Sequence, residues 1–195
     1  MYKKQMSFQK IACYLAVISG AIAFIYSMGM MTDLYDGLYF TIRDPKNPTK
    51  TQVPGTTIYY EMQDFNSMLL YLCLGLLLLG ALLFLMQTHN RRRYYIGNYA
   101  STALFAGSAV GLAGWLHQQV GMYKTQFLTT VDFEALADYA SKRKHEYIDS
   151  TFWFDAHYFV IAVLLIAAVV VVANLIWKIS LQRAEKQLLE NGKGQ

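Results

Sequence analysis

The chain has 195 residues, of which 55% are apolar and 15% are charged, and its formal net charge is +4. So small a charged fraction excludes an ordinary soluble domain, and a small, scattered positive charge excludes nucleic acid as a partner. The two cysteines, Cys13 and Cys73, lie inside apolar runs, so the sequence predicts no disulfide framework, and it contains no CxxC motif. The composition therefore indicates a membrane protein.

Four apolar segments are each long enough to cross a bilayer about 30 Å thick as an α-helix. The predicted spans are residues 11–31, 67–87, 99–120 and 157–177. Two long polar connections, 32–66 and 121–156, and a helical tail at 178–195 complete the chain. The predicted fold is an all-α integral membrane protein, in which residues 1–195 form a single domain of four transmembrane helices.

Each long connection contains one predicted element. In the first, residues 56–60 (TTIYY) are β-branched and aromatic, which predicts a short strand. In the second, Thr129 and Asp132 resemble a capping box, and basic residues follow at 142–144, as the helix dipole favours. The second connection is therefore predicted to carry a helix that lies on the membrane surface.

The distribution of charge predicts the topology. Segments 1–10, 87–98 and 178–195 contain ten Lys and Arg residues against two acids, whereas 32–66 and 121–157 contain seven against eleven. The positive-inside rule therefore predicts that both termini are cytoplasmic and that both long connections are extracytoplasmic. We expect this topology in a bacterial cytoplasmic membrane.

Small residues recur at every fourth position in two of the spans. In the third span they are Ala103, Gly107 and Gly111, and in the first span they are Ala12, Ala16 and Gly20. Such a stripe makes one side of a helix flat, so that a second helix approaches closely. We expect these two faces to pack against each other as the main helix-packing interface.

Arg91, Arg92 and Arg93 follow the second span directly. An arginine run beside an apolar segment is first a topology signal, and its second predicted role is contact with anionic lipid head groups. Aromatic residues such as Tyr59, Trp115 and Trp153 crowd the other ends of the spans. That pattern is typical of an interfacial aromatic belt, although such a surface also suits a sugar or a protein.

Three residues near the ends of the third and fourth spans are the candidates for chemistry. If those ends are adjacent, His117, Asp155 and His157 converge, and two imidazoles with a carboxylate suit zinc or a proton relay. No HExxH or comparable spacing accompanies them, so histidines that form interfacial hydrogen bonds are the favoured interpretation. The sequence predicts no catalytic residue, no metal and no cofactor.

Three functions agree with these patterns. The first is a non-catalytic subunit of a larger membrane complex such as a transporter, with lipids and other membrane subunits as its partners. The second is a small autonomous transporter or channel that acts as a homo-oligomer. The third is a membrane enzyme that uses His117, Asp155 and His157. Because the apolar spans contain almost no ionisable residue, the first is the predicted function.

Overall fold

The computed structural model describes residues 2–32, 43–44, 46–51, 53–89, 96–143 and 149–192. Five helices account for most of them: α1 (Tyr2–Gly29), α2 (Ile58–His89), α3 (Ile96–Thr130), α4 (Phe133–Arg143) and α5 (Phe152–Gly192). Between α1 and α2, strand β1 (Arg43–Asp44) pairs antiparallel with strand β2 (Asn47–Thr51). The described chain is therefore helical apart from one short ribbon.

Within the described part of the chain, four helices are long and apolar enough to cross a membrane, as predicted. They comprise Lys3–Thr32, Ile58–Gln87, Ile96–Thr130 and Phe152–Glu190. All four extend beyond the predicted apolar segments, because helical turns continue into the polar sequence on either side. Their length and composition are compatible with an integral membrane location.

The predicted strand at 56–60 is wrong, because α2 begins inside it at Ile58. Gly55 has a φ of 78°, a left-handed conformation that glycine adopts without a steric cost. The turn that it forms is closed by the Thr56 hydroxyl, which donates to the Val53 carbonyl at 2.6 Å. A tight turn next to a helix start thus replaces the extended segment that the β-branched residues favoured.

The helix predicted in the second connection is α4. Its N-terminal cap is Asp132, whose Oδ1 accepts a hydrogen bond from the Ala135 amide at 2.9 Å. Thr129 still belongs to α3 and donates its hydroxyl proton to the Thr125 carbonyl at 2.9 Å. The predicted pairing of Thr129 with Asp132 therefore does not form, because α3 runs through Thr130.

The chain divides into two compact units. The terminal unit comprises Met1–Ala21, Leu74–Ala113 and Ala162–Gln195, and the loop unit comprises Ile22–Cys73 and Gly114–Ile161. Each of the four long helices contributes residues to both units.

Buried residues on the long helices recur at intervals of seven. On α2, one buried series is Met62, Leu69, Leu76 and Leu83, and the second is Tyr59, Asn66, Cys73, Gly80 and Gln87. Two interleaved series of this kind average 3.5 residues, the period of knobs-into-holes packing. Each helix therefore presents a narrow seam to its neighbours, and polar residues on that seam are buried with it.

Aromatic rings form the core of the loop unit. Phe127 of α3 is fully buried, and its ring centroid lies 6.2 Å from that of Tyr59, 5.1 Å from that of Phe133 and 5.2 Å from that of Phe154. These contacts join α2, α4 and α5 to α3, and edge-to-face and tilted rings at such distances are favourable. They also fix the first turn of α5, directly before His157.

Candidate functional site

The small-residue face of α1 packs in the terminal unit, but its neighbour is α2. A Cβ atom added to Gly20 would lie 2.8 Å from the Cα atom of Leu77, and one added to Gly80 would lie 3.0 Å from the Ala16 carbonyl oxygen. Ala12 and Ala16 are buried on the same helix. The two backbones therefore approach as closely as glycine allows.

The small-residue face of α3 has no such contact. Ala103, Gly107 and Gly111 are exposed, and a Cβ atom added to either glycine would meet no atom of the described residues within 4 Å. The predicted pairing of this face with α1 is therefore wrong. The physical reason is that α3 buries a different face, whose larger residues remove more apolar surface from the surroundings; these are Phe105, Leu112 and Leu116.

A network of hydrogen bonds occupies the seams of the terminal unit, with Gln87 at its centre. Its Oε1 accepts from Nδ2 of Asn174 at 3.3 Å and from the Cys13 thiol at 3.7 Å, while its Nε2 donates to Oγ1 of Thr102 at 3.0 Å. Oδ1 of Asn174 in turn accepts from Nε2 of Gln5 at 3.1 Å. The network therefore links all four long helices, and it supplies the hydrogen bonds that buried amides require.

Sequence reasoning missed this network, although a signal for it exists. Gln5 precedes the predicted first span and Gln87 is the last residue of the second. A search for apolar runs therefore gives no reason to expect either side chain in the interior. The signal is the heptad register, which carries Gln87 onto the same seam as Leu83. Among the described residues, the buried polar side chains include no Asp, Glu, Lys or Arg.

His117 and His157 meet in the loop unit, as the sequence suggested. Nδ1 of His117 lies 3.4 Å from Nε2 of His157, and Nδ1 of His157 contacts the Phe154 carbonyl oxygen. His157 is 1% exposed, whereas His117 is exposed. The pair therefore connects α3 to α5 through one buried and one accessible imidazole.

Asp155 does not join the two histidines. Its Oδ1 accepts from Nζ of Lys124 at 2.5 Å, and its Oδ2 accepts from the Thr151 hydroxyl at 2.7 Å. Both carboxylate oxygens are thus occupied, and Asp155 stabilises the start of α5 as an acid in its first turn. The structure thus brings the two imidazoles together, whereas the carboxylate bonds to Lys124 and Thr151.

The described residues contain no group of three or more His, Cys, Asp or Glu side chains placed to hold a metal ion. The His117 and His157 rings lie end to end, because their centroid separation of 5.7 Å exceeds the nitrogen separation by about one ring diameter. Tetrahedral zinc requires ligand axes that converge at an angle. The end-to-end arrangement instead suits a hydrogen bond between the rings.

Among the described residues, two polar side chains buried in the loop unit form no hydrogen bond. They are Asn66, for which neither amide atom is bonded, and Tyr59, for which the hydroxyl is not bonded. Tyr59 is fully buried against Phe127, so it belongs to the core and not to an interfacial belt. Unsatisfied groups of this kind are costly.

Arg91, Arg92 and Arg93 lie outside the described residues, so their contact with lipid head groups stays a prediction. A comparison of the chain with protein-family models finds no match, and comparisons with curated proteins and with solved structures find none at the significance required.

Proposed function

We propose that this protein is a non-catalytic membrane subunit, an accessory or scaffolding component of a larger membrane complex such as a transporter. The observation that carries the proposal is the open face of α3 around Gly107 and Gly111, which we name the glycine face. No described atom lies near the Cβ positions of these residues. Glycine weakens a helix unless close packing needs it, and here no described helix uses that closeness.

The buried residues of the described chain support an accessory role, because they lack, apart from His157, the ionisable groups with which a chain would itself transport ions or charged substrates. Transport of ions or charged substrates usually needs ionisable residues inside the membrane, and the buried part of the described chain has only His157 of that kind. The amides of the terminal unit bond to one another, so they act as links between helices. A scaffolding subunit requires only such links between its helices.

The membrane and the orientation belong to the same proposal. We assign the protein to a bacterial cytoplasmic membrane with both termini cytoplasmic, because ten Lys and Arg residues lie in the terminal segments and the 87–98 connection. Anionic lipid head groups near Arg91, Arg92 and Arg93 and the helices of another subunit are its expected contacts. Cysteine labelling from each side of the membrane tests the orientation.

Purification in a mild detergent tests the proposed role. A tagged chain should retain a second membrane protein in stoichiometric amount, and Gly107→Leu or Gly111→Leu should reduce that amount at least tenfold, which corresponds to about 1.4 kcal/mol. Because both positions face open space, neither change should unfold the chain. The matched control is Val169→Leu, at a residue of α5 that is 67% exposed.

The possible outcomes separate the alternatives. Equal retention by the two glycine variants and by Val169→Leu would remove the glycine face from the proposal. Association of the chain only with a differently tagged copy of itself would favour the homo-oligomer instead.

A further inference from the structure

The hydrogen bond between His117 and His157 has a definite direction. Nδ1 of His157 contacts the Phe154 carbonyl oxygen, which only accepts, so we assign the proton of His157 to Nδ1. Its Nε2 is then a bare lone pair and must accept from Nδ1 of His117 at 3.4 Å. In the neutral pair, both rings therefore carry their proton on Nδ1, and Nε2 of His117 is the only ring nitrogen left to take up a proton without breaking this bond.

We infer that the bond between His117 and His157 is a pH-sensitive latch between α3 and α5, which stays closed as long as Nε2 of His157 carries no proton. A proton on that nitrogen removes the acceptor, so that two N–H groups face each other. The bond between the rings then breaks.

The charges around the pair favour opening when His157 is protonated. The groups that act on His157 are His117 and Lys124 from α3 and Asp155 from its own helix. Asp155 is already paired with Lys124, so it compensates little of a positive charge on His157. From the other helices, Tyr26 of α1 donates to the Trp153 carbonyl at 3.0 Å and Glu61 of α2 accepts from Gln126 at 2.6 Å, so neither bonds to the imidazoles.

Burial gives the latch its sensitivity to pH. Imidazoles titrate between about pH 5 and pH 8, and His157 is 1% exposed. A buried imidazole that is neutral in the folded protein must become charged for the bond to break, which favours open or unfolded states. The stabilisation is therefore present above the titration range and is lost as the pH falls through it.

The tautomers are the first test. His89→Gln and His145→Gln together leave His117 and His157 as the only histidines of the chain. In this variant, nitrogen-15 NMR of labelled histidine at pH 8 should show both rings as the Nδ1–H tautomer, whereas free histidine favours Nε2–H. An Nε2–H signal from either ring at pH 8 would overturn the assignment.

Thermal unfolding in detergent is the second test. The Tm of the two-histidine variant should fall by at least about 3 °C between pH 8 and pH 5, a range in which ordinary carboxylates stay largely ionised. Adding His117→Gln should make this fall smaller, because the bond to Nε2 of His157 is then absent at both pH values while the burial of His157 is unchanged. Position 117 is exposed, so the change should cause no folding defect.

A purely structural role would lower the Tm of the His117→Gln variant equally at both pH values, and that result would overturn the proposal. Stabilisation by Zn²⁺ at pH 8 that depends on His117 would overturn it as well, because the pair would then be a metal site.

Discussion

The two classes of glycine predict opposite effects for one substitution, glycine to alanine, at Gly20 and Gly107. At Gly20 the new methyl group would lie 2.8 Å from the Leu77 Cα atom and 3.2 Å from the Leu77 amide nitrogen. Both are backbone atoms, so the clash is relieved only if α1 and α2 separate. At Gly107 the methyl group would meet nothing within 4 Å.

The magnitudes follow from these distances. Alanine exceeds glycine in helix propensity by about 1 kcal/mol, so Gly107→Ala should raise the free energy of unfolding by about 0.5–1 kcal/mol. Gly20→Ala has the same gain, but overpacking its close contact costs about 1–3 kcal/mol. The free energies of unfolding of the two variants should therefore differ by about 1–3 kcal/mol.

Reversible unfolding of the purified chain in mixed micelles measures this difference. Tryptophan fluorescence is a suitable signal, because Trp177 packs against Phe8 with ring centroids 5.5 Å apart. If Gly20→Ala were stabilised as much as Gly107→Ala, the close contact between α1 and α2 would be refuted. If Gly107→Ala were destabilised in the isolated chain, the open glycine face would be refuted.

Two further predictions concern the turn before α2 and the buried amides. Gly55→Ala should destabilise the chain by at least about 1 kcal/mol, since its φ is 78° and the methyl group would overlap the Thr130 carbonyl; a thermal melt with an unchanged midpoint would contradict this. Asn174→Leu should cost about 1 kcal/mol because it breaks the bond to Gln87, whereas Asn66→Leu should gain about 1 kcal/mol because that amide is unbonded. Chemical unfolding measures both changes in the free energy of unfolding. Equal changes for the two variants would show that the hydrogen bonding of these amides does not determine their effect on stability.

The number of spans was predictable because an apolar run some 20 residues long has few alternatives to a transmembrane helix. The ends of the helices were not predictable in the same way. α3 continues through Thr130, well beyond the predicted limit at residue 120, because helical hydrogen bonds form as well in polar sequence. The start of α2 could not be predicted either, because the turn with a positive φ at Gly55 outweighs the strand preference of residues 56–60.

The packing faces were predictable only in part. Small-residue spacing identifies where two helices can approach closely, and α1 uses its stripe in this way at Gly20. The pattern does not identify the neighbouring helix. Large residues such as Phe105 determine which face of α3 is buried, and that face does not include Gly107. The His117–His157 pair was suggested because both residues lie near span ends, but the occupation of Asp155 by Lys124 was visible only in three dimensions.

The turn at Gly55 also constrains the order in which the chain can fold. The Pro54 carbonyl accepts from the Asp132 amide at 3.2 Å, and Gly55 lies directly against Thr130. These contacts join the start of α2 to the junction of α3 and α4. During synthesis, the loop unit therefore cannot close until the whole of α3 has been made. A nascent chain that ends after α2 contains the first two long helices but lacks these contacts.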